Sequence, residues 1–219
     1  PEITLLTMAC LVLLVDAFSK DPLHKMTYWI TQLSLLLTLC ALFYYSPGYS
    51  YIGFNGGFIT DTMSVLLKSF ICAITIVVFF YSYEYLKENE LLKGEYFVLG
   101  LFAVLGMMIM TSAYHLLSIY LGLELLSLSL YAMVAMQRES TFATEAAIKY
   151  FVLGALASGM LLYGISMIYG VTGSLQFTEI TEIINSGAVD RMYLVYGMVF
   201  LIVGIAFKLG AAPFHMWVP

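Results

Sequence analysis

Residues 114–136 read YHLLSIYLGLELLSLSLYAMVAM, a leucine-rich run with one carboxylate, Glu124, near its middle. A helix that crosses about 30 Å of hydrocarbon needs roughly 20 mostly apolar residues, and this run is long enough. At helical spacing Tyr120, Ser127 and Tyr131 stand at i−4, i+3 and i+7 from Glu124 and share its face. Lipid rejects such a polar stripe, whereas water or another polar helix accepts it. A structural carboxylate bonded to neighbouring helices is the plainer alternative.

Outward from this run the rest of the chain is of the same kind. Six more apolar runs lie at about 2–18, 27–45, 62–83, 96–112, 145–169 and 192–218. The 219 residues are 62% hydrophobic and 11% charged, with a mean hydropathy of +0.93. Soluble domains hold about 45–50% apolar and about 25% charged residues. A soluble core of this size cannot hide so much apolar surface. The sequence therefore predicts an all-α polytopic membrane protein of about seven spans, and it excludes a soluble enzyme, a disordered tail and a disulfide scaffold.

Charge and turn chemistry mark the breaks: Lys20-Asp21-Pro22, Ser46-Pro47-Gly48, Glu84 to Glu95, Thr111 to Tyr114, Gln137 to Ser140, and a polar loop from Gly170 to Arg191. The first run begins at Pro1-Glu2 without Met or a basic leader, and the last stops at Pro219 directly after apolar residues. Both ends read as cut. The loops after spans one, three and five hold Lys20, Lys25, Lys87, Lys93 and Arg138, against Arg191 alone in the others. This bias places the first set in the cytoplasm and the N-terminus outside.

No basic patch suits nucleic acid. Cys10, Cys40 and Cys72 lie in separate runs and match no metal or redox spacing, so they read as small buried apolar residues. Gly53, Gly56 and Gly57 read as turn glycines. Gly154, Ala155, Ala157, Ser158 and Gly159 form small-residue spacings that let helices approach, a packing signal.

Four ionisable residues lie well inside apolar runs: Lys68, Glu124, Lys149 and Lys208. Each costs about 2.5–3.5 kcal/mol near a helix centre, which calls for pairing, water or a function. Beside Lys208, Pro213 cannot donate to the Leu209 carbonyl, so a broken helix is expected where Gly210 already loosens the chain. Broken helices at membrane depth line cavities and ion sites; a kinked helix with a snorkelling lysine is the alternative. Lys149 stands one turn after Glu145, where a local pair or snorkelling also explains it. Lys68 reads as snorkelling or packed. His115 opens span five away from Glu124. His215, after the break, could relay protons or bond the broken backbone. No nucleophile, metal cluster or phosphate loop accompanies these groups. They suit a proton path, because a carboxylate near a lysine holds its proton and releases it on moving away.

Four stretches carry a resemblance: Leu121-Gly122-Leu123-Glu124-Leu125-Leu126-Ser127-Leu128, Glu145-Ala146-Ala147-Ile148-Lys149-Tyr150-Phe151, Tyr169 to Phe177, and Phe207-Lys208 through Pro213, His215 and Trp217 to Pro219. In this order they resemble the antiporter-like subunit N family of bacterial NADH-quinone oxidoreductase, respiratory complex I. The resemblance covers essentially the whole chain. It implies a fourteen-helix fold with two inverted repeats of five helices, of which this chain is the first half, ending in a broken seventh helix. Residues 1–95 then hold helices one to three, and 96–219 helices four to seven of an incomplete repeat.

It also implies proton translocation coupled to electron transfer from NADH to quinone elsewhere in the complex. Glu124, Lys208 and Lys149 match the family's helix-five glutamate, broken-helix lysine and helix-six lysine; Tyr120, Ser127, Pro213 and His215 are accessory candidates. No cofactor or metal is expected in this chain; NADH, FMN, iron–sulfur clusters and quinone belong elsewhere in the complex. The implied partners are other membrane-arm subunits and the lipid bilayer, in the bacterial inner membrane. Two other readings stand beside this one: a subunit of a multi-subunit Na⁺/H⁺ antiporter, and a static scaffold whose charges only hold helices together.

Overall fold

The computed structural model describes residues 1–19, 21, 23–45, 50–187 and 189–218. The expected breaks at Lys20, Pro22 and Ser46-Pro47-Gly48, and the terminal Pro219, lie outside the described residues. Each apolar run becomes a helix: α1 (Glu2–Phe18), α2 (Lys25–Tyr44), α3 (Thr62–Glu88), α4 (Gly94–Thr111), α5 (Leu116–Val134), α6 (Thr141–Thr172) and α8 (Arg191–Lys208). The chain is an all-α polytopic membrane protein. Among the described residues six helices are long and apolar enough to cross a membrane, and α1, with 17 residues, is slightly shorter.

Several helix starts follow capping chemistry. Asp61 and Ser64 form a reciprocal capping box at α3; Ser140 and Asp190 accept backbone N–H bonds at the starts of α6 and α8. Gly173, at φ +69°, ends α6 in the left-handed conformation that glycine adopts without strain.

Two elements go beyond the expected loops. Residues 51–60 form a short antiparallel hairpin, β1 (Tyr51–Gly53) and β2 (Phe58–Thr60), turned by Gly56 at φ +83°. The loop after α6 contains an amphipathic helix, α7 (Phe177–Asn185).

α4 is the centre of the first bundle. Its Phe97, Leu101, Val104 and Met108 pack with Leu5, Ala9 and Val12 of α1, Leu35 and Leu42 of α2, and Cys72 and Phe79 of α3. The opposite faces stay apolar and open, as at Phe70, Ile74, Val78 and Leu156, which suits lipid. Lipid tails supply little hydrophobic drive between helices, so close backbone approach matters. A Cβ on Gly106 of α4 would stand 2.7 Å from the Gly122 carbonyl of α5, and one on Gly164 of α6 2.8 Å from the Gly197 carbonyl of α8. Of the cysteines only Cys72 is buried; Cys10 and Cys40 are exposed on outward-facing helix surfaces, against the expectation that all three would be buried.

The two ends of the bundle differ. At one end the hairpin, the α4–α5 turn and the segment after α6 are joined by backbone bonds: Ile59 N–H to Ser112 O (2.8 Å), Tyr114 N–H to Gly57 O (3.2 Å) and Leu116 N–H to Leu175 O (3.0 Å). At the other end Asp16 accepts from Thr27 Oγ1 (2.7 Å) and pairs with His24 Nδ1 (2.9 Å), and Lys93 Nζ donates to Met136 O (2.7 Å).

Lys68 does not snorkel. It is 1% exposed, its Nζ lies 2.5 Å from Glu2 Oε1, and it faces the Phe58 ring at 4.8 Å. The first turn of α1 brings a carboxylate to it, which removes the need to reach water. Removing one partner of a buried pair costs about 3–5 kcal/mol, while removing both costs much less. Lys68→Met in the complete protein should therefore lower the thermal unfolding temperature in detergent more than the Glu2→Gln/Lys68→Met double variant does. Equal losses would show that the pair does not stabilise the fold.

Candidate functional site

Glu124 lies in the middle of α5 and Lys208 at the last turn of α8. Lys208 Nζ stands 3.7 Å from Glu124 Oε2, with the two side chains 10% and 22% exposed. It donates to Ser127 Oγ at 2.8 Å and to Tyr131 Oη at 3.1 Å. An ammonium group has three donors. Two hydroxyls and one carboxylate meet it, all three from the polar face of α5. Unit charges about 4 Å apart attract by about 4 kcal/mol at an effective dielectric of 20, comparable to the cost of placing either charge in the membrane.

The lysine is held by the way α8 ends. Gly210 takes the left-handed conformation at φ +64°, Ala211 N–H bonds back to Ala206 O (2.9 Å), and Gly210 N–H to Phe207 O (3.0 Å). This is the paired terminating arrangement that satisfies the last carbonyls of a helix. The break expected at Pro213, with a freed Leu209 carbonyl, thus occurs earlier and through Gly210; α8 stops at Lys208 instead of running on to 218. The chain then folds back. Trp217 Nε1 donates to Phe207 O at 2.9 Å, and its ring stacks on Tyr150 of α6 at 4.7 Å.

α6 forms the rear wall. Ser158 Oγ donates to Glu124 Oε2 at 2.6 Å. One turn earlier, a Cβ on Gly154 would overlap the Tyr131 hydroxyl. Gly154, Ala157 and Ser158 are buried, whereas Ala155 and Gly159 point outward. The small-residue stripe, expected only to pack, supplies both a hydrogen-bond donor, Ser158, and the space for the Tyr131 hydroxyl. Only the polarity of Ser158 within the stripe hinted at this.

The other candidates stand apart. Tyr120 makes no hydrogen bond to the cluster. Lys149 Nζ pairs with Glu145 Oε1 at 2.7 Å on an exposed face of α6. Pro213 and His215 are exposed on the segment after α8. His115 caps α5, its Nδ1 accepting from Leu117 N–H at 3.2 Å. Among the described residues no group of three His, Cys, Asp or Glu side chains is placed to hold a metal. A groove of about 580 Å³ between α5 and α6, lined by Leu128, Ala135, Arg138, Ala147 and Phe151, reaches Tyr131.

A family profile described as NADH:quinone oxidoreductase/Mrp antiporter, transmembrane, matches residues 113–219, the segment that holds Glu124, Ser158 and Lys208. Along its whole length the chain is 52% identical to NADH-quinone oxidoreductase subunit N of Hydrogenovibrio crunogenus and covers 46% of that protein. It spans about half the length of the curated relatives it matches. Its fold follows a chain of respiratory complex I from Thermus thermophilus with a TM-score of 0.76 at 29% identity, over 99% of this chain and 45% of that one. A chain of the Mrp complex from Dietzia sp. gives 0.72 at 18% identity, over 99% and 42%, a likeness of fold alone. The resemblance to the subunit N family read from the sequence is borne out.

Gly154→Ala should push Tyr131 off Lys208 and impair whatever the cluster does. Gly159→Ala, with nothing within 4 Å of the added Cβ, should be silent. Proton uptake by vesicles carrying the complete protein at matched assembly checks both; equal behaviour of the two variants would contradict the packing argument.

Proposed function

We propose that the chain is part of a membrane-arm subunit of a bacterial NADH-quinone oxidoreductase that moves protons across the inner membrane. The observation that carries this reading is the Glu124–Lys208 pair at 3.7 Å in the membrane-spanning bundle, with hydroxyls on both partners. Two opposite charges in helices of low charge content form a two-position element. With Glu124 near, Lys208 keeps its proton; with Glu124 withdrawn, burial favours the neutral amine and the proton leaves. Lys208 hands it onward to a further acceptor in the complete subunit. Glu124 modulates, Lys208 transfers, and Ser127 and Tyr131 orient the ammonium.

Electron transfer from NADH to quinone takes place in other subunits, where NADH, FMN, iron–sulfur clusters and quinone are held; this chain contributes the coupled proton step and holds no redox group. Its partners are the neighbouring membrane-arm subunits. Identity to subunit N relatives over the whole chain supports this reading. Lys25, Lys87, Lys93 and Arg138 belong to the end assigned to the cytoplasm, which puts the N-terminus of α1 in the periplasm. Lys149, paired locally with Glu145 at the surface of α6, serves in this scheme as an outlying proton-accepting group near the same end.

A subunit of a multi-subunit Na⁺/H⁺ antiporter is the second reading, favoured by the family profile, which spans both kinds of protein. Inverted membrane vesicles carrying the complete subunit distinguish them. NADH-driven proton uptake, independent of Na⁺ and depressed several-fold by Glu124→Gln at matched levels of assembled complex, is the expected result. A Na⁺-dependent pH gradient without NADH would favour the antiporter, and full uptake in Glu124→Gln would remove the role given to Glu124.

A further inference from the structure

Three hydroxyls surround the charge pair, and they divide between its members. Ser127 and Tyr131, both on α5, accept from Lys208. The proton of Ser127 is committed to Leu123 O at 2.8 Å, so toward the lysine this hydroxyl is an acceptor only. Ser158 comes from a different helix, α6, and is 4% exposed. Its proton goes to Glu124 Oε2 at 2.6 Å, a charge-assisted bond of the short kind. The same oxygen faces Lys208 at 3.7 Å, beyond the 2.7–3.2 Å of an N–H···O bond. Among the described residues Ser158 is the one group within hydrogen-bonding distance of the Glu124 carboxylate.

The charges therefore attract each other without sharing a hydrogen bond, and each is held back by a neutral hydroxyl. We propose that Ser158 is a positioning residue: by occupying Glu124 Oε2 it keeps the carboxylate from closing onto Lys208 and leaves the pair loose enough to separate. The proposal rests on the proton-transfer reading of the pair and deepens it. Without the Ser158 hydroxyl the carboxylate loses its short donor, and the remaining donor in reach is the lysine itself. The pair then contracts to hydrogen-bond length, and a contracted pair yields its proton less readily. Gly154, one turn before Ser158, keeps Tyr131 in place on the other partner, so a single face of α6 sets the position of both.

The test uses the assembled complex containing the complete subunit, with Ser158→Ala and Ser158→Thr compared at matched assembly. Two quantities are read: NADH-driven proton uptake in inverted vesicles, and the infrared carboxylate stretching band of Glu124, identified as the band lost in Glu124→Gln. Hydrogen bonds to charged groups are among the stronger ones, so Ser158→Ala should lower uptake at least about threefold. It should also shift the Glu124 band, while Ser158→Thr, which keeps the hydroxyl, retains both properties. A merely packed serine would not move the band. An unmoved band in Ser158→Ala, or a threonine variant indistinguishable from alanine in both readouts, would overturn the proposal. Failure of the underlying reading looks different: Glu124→Gln would then keep full uptake, while the band still reports whether Ser158 holds the carboxylate.

Discussion

A lysine and a glutamate placed inside a low-dielectric slab must be held, and here each is held twice, by the other and by hydroxyls. The rest of the molecule arranges that condition. α5 carries Glu124, Ser127 and Tyr131 on one face. α8 must deliver Lys208 at its last turn and then stop, which Gly210 accomplishes. α6 must come close enough to offer Ser158 and flat enough at Gly154 to admit a tyrosine hydroxyl. Glycines at the α4–α5 and α6–α8 crossings bring the helices to that distance. Packing in lipid depends on such approach more than on hydrophobic drive.

The chain resolves buried charge in two ways. Lys68 and Glu2 form a direct pair at 2.5 Å, with an aromatic ring over the ammonium. Lys208 and Glu124 stand farther apart at 3.7 Å, with neutral groups beside each. A closed pair is suited to holding helices, and an open pair with intervening hydroxyls is suited to changing. The local side chains differ accordingly, an aromatic ring over the ammonium of the first pair and hydroxyls on both members of the second. Lys149 shows a third outcome, a solvent-side helix pair with Glu145 that leaves the cluster untouched.

Much of this was legible in the sequence. The seven apolar runs became seven helices because hydropathy over roughly 20 residues decides a span. Glu124 and Lys208 stood out because an ionisable group inside such a run needs a reason, and helical periodicity placed Ser127 and Tyr131 beside Glu124. Ser158 was not legible as a partner, because a serine in a small-residue stripe has the same periodicity whether it packs or donates; the rotation of α6 against α5 decides. Lys68 was read as reaching water or packed, since nothing in its own run announces a carboxylate arriving from α1. The end of α8 was assigned to Pro213, the stronger helix breaker, whereas a left-handed glycine three residues earlier had already completed the termination. The three-residue strands of the hairpin are too short to show alternation, and α7 is too short and polar to register as a span.

The central claim is that Glu124 and Lys208 act together in moving a proton and are more than a pair that holds two helices. The most direct measurement compares the Glu124→Gln/Lys208→Met double variant with each single variant, scoring NADH-driven proton uptake per assembled complex. Neutralising both charges removes the penalty of leaving one unpaired, so assembly of the double variant should equal or exceed that of either single one. The account predicts that the double variant assembles yet takes up no protons. A double variant that takes up protons at the wild-type rate would make the pair a structural tie and contradict it.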